Sequence, residues 1–391
     1  MSDNPSFVLQ AINKVEYEQR PIPEISGDEV LVEVKKTGIC GSDVHYWVAG
    51  RIGSFVVEKP MVLGHESSGV VNKVGSKVKN LKAGDRVALE PGATCRVCDD
   101  CKKGRYELCP DIIFAATPPY DGTLARYYRI PADLCYKLPD HLSLEDGAMM
   151  EPLSVGIHSV ANTAGFRTNQ SIVVFGAGPV GLLCMAVAKA LGASRVIAVD
   201  IVPSRLEFAK SYAATETYLP PKPNEGESQL KYSERNARTM QEQLGIDERG
   251  PRAIDVVIDA SGAAVSIQTA VHIARHGGTF VQVLVTPSRN GKQLTLLKVG
   301  MGNPEVTLPI TQLLVKEVTL KGSFRYGPGD YALAIALVSQ GKIDLKPLVT
   351  HRFKFEQAVE AFETTKAGKS PDGKPVIKAV ISGPDVSPDD H

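Results

Sequence analysis

Between Phe7 and about Val155, apolar and polar positions change over in short runs. Residues 29–35, 67–74, 86–89 and 124–130 are each rich in Val, Leu or Ile. Gly, Pro and Asp turns separate them, so the pattern predicts a partly closed β structure. Gly84-Asp85 reads as the turn that enters one of these strands. Past Glu151 the pattern changes to alternating strands and helices. Residues 171–175 predict a strand, 182–191 a helix, 195–199 a strand, 253–260 a strand and 266–275 a helix, the alternation of a doubly wound sheet. Residues 220–250 are polar and predict a surface loop followed by an exposed helix. Beyond Gly322, residues 332–338 and 355–364 carry amphipathic helical patterns. The class is α/β: a β-rich part followed by a doubly wound part.

The turn after residues 29–35 reads Thr37-Gly-Ile-Cys40-Gly-Ser42-Asp43, with Ser42 and Asp43 available as N-caps of a short helix. A lone cysteine is more often a small buried hydrophobe than a ligand. Here Gly64-His65-Glu66 follows another apolar run, and Glu151-Pro152 closes the 148–150 segment. Thiolate, imidazole and carboxylate together form the ligand set of a catalytic zinc, which keeps one position open for water or substrate.

A second cluster is Cys95, Cys98 and Cys101, followed by Cys109. Four sulfurs so spaced can wrap one tetrahedral zinc. Disulfides or unliganded buried thiols are the alternatives, but Asp99, Asp100, Lys102, Lys103 and Arg105 make the segment too polar for a core. With four thiolates no position is left open, so this zinc is expected to staple a loop.

Gly176-Ala-Gly178-Pro-Val-Gly181 lies between a predicted strand and a predicted helix, with Asp200 at the end of the next strand. That context makes it a dinucleotide fingerprint. Gly176 makes the turn, Gly178 lets a pyrophosphate approach, and Gly181 lets helix and strand pack. Asp200 accepts hydrogen bonds from the adenosine ribose and repels a 2′-phosphate, which favours NAD over NADP. Arg205 points the other way, or simply lies on the helix after Pro203. Arg325-Tyr326 follows a strand and either faces the ligand or caps a surface.

The 391 residues suggest two or three domains. Lys plus Arg equals Asp plus Glu at 44 each, which makes nucleic acid and anionic membranes poor partners. The odd count of seven cysteines, and a start without a basic or apolar leader, lead us to expect reduced thiols in the cytosol. The uncharged stretch near residues 168–188 is interrupted by Gly176, Gly178, Pro179 and Gly181, and reads as strand-turn-helix rather than a membrane span.

With these features assembled, the chain resembles the zinc-dependent medium-chain dehydrogenases over nearly its full length. The wording Thr-Gly-Ile-Cys40-Gly-Ser-Asp-Val-His45, Gly64-His65-Glu66, Glu151-Pro152-Leu-Ser and Phe324-Arg325-Tyr326 is similar to the polyol branch of sorbitol, xylitol and arabinitol dehydrogenases. The resemblance implies a GroES-like catalytic domain over residues 1–155, with a structural zinc lobe at about 92–112. It also implies a Rossmann NAD-binding domain over 156–322, a C-terminal segment 323–391 completing the catalytic domain, and commonly a homotetramer.

Cys40 and His65 are then zinc ligands. Glu66 and Glu151 both match positions near the metal, one binding directly and the other through water, since His65 and Glu66 would point oppositely on an ideal strand. Ser42, His45 and Tyr46 match the proton-relay or substrate-facing stretch. Val180, Asp200 and Arg205 match cofactor contacts, and Arg325 and Tyr326 match substrate-side groups. The implied reaction is NAD-dependent oxidation of a polyol, with xylitol expected and sorbitol or L-arabinitol open on the same residues. A non-catalytic zinc-binding interaction module is the rival class.

One stretch departs from the family pattern. Residues 284–299 intervene between Val283 and Gly300-Met301-Gly302, where the nicotinamide edge is expected. They read either as a hairpin around a Pro, Asn and Gly bearing turn or as in-frame sequence foreign to the fold.

Overall fold

The computed structural model describes residues 3–283 and 305–390. The intervening stretch expected at the nicotinamide edge, together with Gly300, lies outside the described residues. Among the described residues no helix is long and apolar enough to cross a membrane. The chain divides into two compact units, one built from residues 3–152 and 327–390 and the other from 153–283 and 305–326. The divisions fall at 152/153 and 326/327, so Arg325 and Tyr326 belong to the second unit rather than to a C-terminal segment starting at 323.

In the first unit the main sheet runs, in spatial order, Cys135–Lys137, Arg86–Leu89, Glu66–Val74, Glu29–Gly38, Lys378–Ser382 and Val349–Phe353, with Tyr127–Pro131 also pairing to Glu29–Gly38. All neighbours are antiparallel except the last two strands, which run parallel. The strand Glu29–Gly38 is central because alternate valines bury Val30 and Val32 against Val71, Val87 and Leu89. Burying each such side chain contributes about 1.5–3 kcal/mol. At its end Gly38 lies opposite Glu66 on one side and Val380 on the other. Lys36 is buried on the same strand, and its Nζ donates to Ser382 Oγ and to the carbonyls of Ser387 and Pro388, each at 3.1 Å.

The four-cysteine lobe hangs from this sheet. It contains one helical turn, Asp99–Lys102, and the 3-10 turn Tyr106–Leu108. Tyr106 donates its hydroxyl to the buried Glu90 carboxylate at 2.5 Å, and Tyr136 donates to the other oxygen at 2.7 Å. Burial pushes the Glu90 carboxyl up, against the two phenols that hold it down. Tyr331 stacks on Tyr136 and donates to the Leu89 carbonyl.

The second unit is a six-stranded parallel sheet in the order Glu216–Tyr218, Arg195–Val199, Ser171–Phe175, Ile254–Asp259, Ala274–Val283 and Thr319–Ser323. The order reverses direction at Ser171–Phe175, which makes its carboxyl end the switch point where such sheets bind ligands. Val173, Phe175, Ile197 and Val257 fill the core beside it.

The helix Gln229–Leu244 corrects the expectation of an exposed helix. Tyr232, Ser233, Asn236, Ala237 and Met240 are buried. Its inward polar groups are satisfied: Tyr218 donates to Asn236 Oδ1 at 2.8 Å, and Ser233 donates to Gln268 Oε1 at 2.9 Å. Because buried polar groups that are fully hydrogen-bonded are tolerated, low apolar content does not mean an exposed helix.

Candidate functional site

In the first unit, the chain leaves Glu29–Gly38 and turns at Cys40 into the helix Gly41–Ala49. Cys40 itself occupies the N-cap, which corrects the expectation that Ser42 or Asp43 would. Asp43, one turn inside, accepts the Cys40 backbone N–H through Oδ2 at 3.2 Å, as an N3 acid does in a capping box. Its Oδ1 accepts the Gly64 N–H at 2.9 Å and lies 3.4 Å from His65 Nδ1. Asp43 therefore joins the Cys40 turn to the His65 turn.

His65 and Glu66 do not diverge as they would within one ideal strand. The strand begins at Glu66, and Gly64 before it has φ 91°, so His65 lies on a kink outside the alternation. A side chain at 64 would press on Leu124 and Thr37, and the left-handed backbone suits glycine. As a result Cys40, His65 and Glu66 each bring a ligand atom to within 4.8 Å of the others. Glu151, in the first turn of Met150–Ile157, is buried but is not one of these three.

Asp43 and His65 form a buried, mutually stabilised pair beside Cys40. Burial would raise the Asp43 carboxyl, yet His65 and the two N–H donors hold it below the usual carboxylate range. Burial would lower the His65 imidazolium, yet Asp43 and Cys40 raise it well above the usual range. The sulfur, nitrogen and oxygen donors of Cys40, His65 and Glu66 fit a zinc ion with an open position.

Ser42 and His45 are half-buried on the helix, one turn apart on one face, while Tyr46 is buried. In the lobe, the four sulfurs of Cys95, Cys98, Cys101 and Cys109 lie within 4.8 Å of one another, with no disulfide. Cys95 and Cys101 are 4.0 Å apart, near the about 3.8 Å edge of a tetrahedral zinc–thiolate site with bonds of about 2.3 Å. The N–H of Val97 and then that of Cys98 lower the Cys95 thiol to about 7, while burial and the neighbouring thiols push Cys109 up.

In the second unit, Gly176 follows the strand Ser171–Phe175 with φ 93°, and an added Cβ there would meet the Ala260 carbonyl at 2.9 Å. A Cβ at Gly181 would lie 1.8 Å from the Gly176 oxygen, while at Gly178 nothing lies within 4 Å. Two glycines allow close packing and the third leaves open space at the N-terminus of Pro179–Ala190, the arrangement that admits a phosphate. Val180 is half-buried on that first turn. Asp200 accepts the Ala177 N–H at 2.8 Å and the Val202 N–H at 2.9 Å, and Arg205 Nη1 lies 3.9 Å from its Oδ2. Arg325 has φ 56°, a left-handed backbone that side chains rarely adopt, and its guanidinium lies 4.5 Å over the Phe324 ring. Tyr326 is buried.

Sequence reasoning gave no role to Asp259 or Lys378. Asp259 ends Ile254–Asp259 and is fully buried, its carboxyl pushed up by that burial. It accepts from Ser261 Oγ at 2.6 Å, Gly262 N at 2.9 Å and Gln282 Nε2 at 2.8 Å. It thereby fixes the turn at 260–262 against which Gly176 packs. The signal was Asp259-Ala-Ser-Gly262, an acid followed by turn residues at a strand end. Lys378 was visible as a single charge in the apolar run Val376-Ile377-Lys378-Ala379-Val380-Ile381.

The sequence matches the alcohol dehydrogenase GroES-like domain over residues 26–140 and the zinc-binding dehydrogenase family over 179–340. D-xylulose reductase A of Aspergillus niger is 54% identical over 385 residues, covering 98% of each chain. Among solved structures, an oxidoreductase of unknown specificity from Escherichia coli superposes with a TM-score of 0.81 at 31% identity, over 98% of this chain and 99% of that one. An alcohol dehydrogenase from E. coli in complex with NADH also gives 0.81, at 25% identity, over 97% and 99%.

Proposed function

This chain belongs to the zinc-binding dehydrogenases with an alcohol dehydrogenase GroES-like domain, and on that premise we propose that it oxidises the secondary alcohol of xylitol to D-xylulose with NAD. The observation that carries the reading is the convergence of Cys40, His65 and Glu66 on one point. These residues would hold a zinc, with Glu151 as the outer carboxylate. Bound there, zinc supplies Lewis-acid chemistry that lets a hydroxyl lose its proton near neutral pH. A bound NAD would supply the hydride acceptor for the alcohol carbon, and the hydroxyl proton would leave through the protein.

Ser42 and His45, on one face of their helix, pass that proton from hydroxyl to imidazole and on to solvent. Tyr46, Arg325 and Tyr326 are the residues assigned to the remaining substrate hydroxyls. The cysteines 95, 98, 101 and 109 hold a second zinc that closes the lobe. Gly176, Gly178, Val180 and Gly181 receive the dinucleotide phosphates, and Gly300 the nicotinamide side. The same reading has the protein acting in the cytosol as a homotetramer, which sedimentation of the purified protein tests. In an NADH absorbance assay, xylitol with NAD should give turnover that a chelator abolishes. Absence of NADH formation with xylitol, sorbitol and L-arabinitol alike would overturn the reading.

Asp200 is the cofactor-selecting group. Both its oxygens accept backbone N–H groups, which fixes the carboxylate where it repels a 2′-phosphate. Asp200→Ser removes that charge and leaves Arg205 without its acidic neighbour. The kcat/KM ratio of NAD to NADP should fall by about 100-fold, corresponding to about 2.7 kcal/mol. A wild-type enzyme that already uses both cofactors equally contradicts this role.

A further inference from the structure

Lys378 is 4% exposed and sits on the strand Lys378–Ser382. Its Nζ pairs with Glu66 Oε2 and donates to the Ile39 carbonyl at 3.1 Å. The pairing is unusual in its reach. Glu66 stands on a different strand, with Glu29–Gly38 between the two, so the charges come from backbones about 10 Å apart.

Gly38 makes the crossing possible. It is the residue of the middle strand opposite Glu66, and an added Cβ there would lie 2.3 Å from Glu66 Oε2 and 3.1 Å from Lys378 Cε. The missing side chain is the gap through which lysine and glutamate meet. A buried charge is tolerated only when paired, and this one is paired to a residue of the metal cluster.

We propose that Lys378, reaching over Gly38, is the positioning residue of the Cys40–His65–Glu66 cluster, engaging one oxygen of Glu66 so that its other oxygen faces the cation. On this account Glu66 is the inner carboxylate because Lys378 orients it, and Glu151 stays outside. The inference rests on the zinc reading of the cluster given above.

The test compares the full-length wild type with Lys378→Met and Gly38→Ala. Methionine keeps the volume and removes the charge, while alanine closes the gap at 38, pressing on the flexible end of Glu66 and on Lys378 Cε. Zinc release to excess chelator is followed with a metal-sensitive dye, and cobalt(II)-loaded protein is examined by visible absorption. The wild type should release two zinc ions per chain in separate phases. In both variants the phase from the Cys40 cluster should accelerate by about 10- to 100-fold, the usual effect of losing a residue that orients a ligand, with the lobe phase unchanged. The cobalt bands should shift in both. Wild-type release and wild-type bands in the two variants overturn the role of Lys378 alone. A wild type that holds only the lobe zinc overturns the zinc reading of the cluster and this role with it.

Discussion

Cys40→Ser should lower kcat/KM for xylitol by at least about 1,000-fold and leave the protein folded. The loss follows from removing the one thiolate of the cluster. Serine does not ionise near neutral pH, so the centre keeps only His65 and Glu66 within 4.8 Å of each other. Lewis-acid stabilisation is worth several kcal/mol, and each 1.36 kcal/mol is a factor of ten in rate. The fold survives because Cys40 occupies an N-cap, where serine is among the most favourable residues. Asp43 still receives the backbone N–H at position 40, so the turn keeps its tie to the His65 segment. NADH formation, circular dichroism and zinc content measured together decide the matter. Zinc should fall from two per chain to one with an unchanged dichroism spectrum, and a variant that retains wild-type turnover would remove Cys40 from the mechanism.

Cys98→Ser should have the opposite profile, a large loss of stability that precedes any effect on chemistry. Four sulfurs surround one point in the lobe, and the Cys98 N–H also donates to Cys95 Sγ at 3.2 Å. With one sulfur gone the ion is held by three, and the segment from 95 to 109 has few apolar side chains to replace what the ion contributes. Loss of a metal belongs to the class of changes that cost upwards of about 4 kcal/mol. At about 2–4 °C per kcal/mol for a unit of this size, the melting temperature should drop by about 10 °C. Calorimetry and zinc stoichiometry test this, with NAD affinity as the control that should stay constant. Equal melting temperature and equal zinc content in the variant and the wild type would show that the lobe needs no staple.

The glycine fingerprint, the cysteine spacing and the strands Ser171–Phe175 and Arg195–Val199 were legible because each depends on local chemistry, a turn conformation or a run of β-branched residues. The linking roles of Asp43 and Lys378 were not, because they depend on Gly64, His65 and Glu66, which only the fold brings to them. Lys378 and Glu66 are brought together by strand order alone. His65 was misjudged in direction for a related reason: alternation is a property of an unbroken strand, and Gly64 breaks it. The helix Gln229–Leu244 was misjudged because composition counts apolar residues, whereas packing asks only that inward polar groups be satisfied.

The placement of the strand Lys378–Ser382 beside Glu29–Gly38 bears on how the chain is born. Gly38 leaves the ribosome 340 residues before Lys378, an interval of about 20–70 s at 5–20 residues per second. Throughout that time residues 36–38 of the central strand lack their permanent neighbour, and Glu66 has no ammonium to pair with. The residues of the second unit emerge within the interval and can pack among themselves while the first unit waits. The nascent chain therefore has a long window in which an exposed strand edge can be captured by another chain, a hazard of any sheet whose middle is filled last. Synthesis rate and chaperone supply, more than the stability of the finished protein, should set how much active protein a cell recovers.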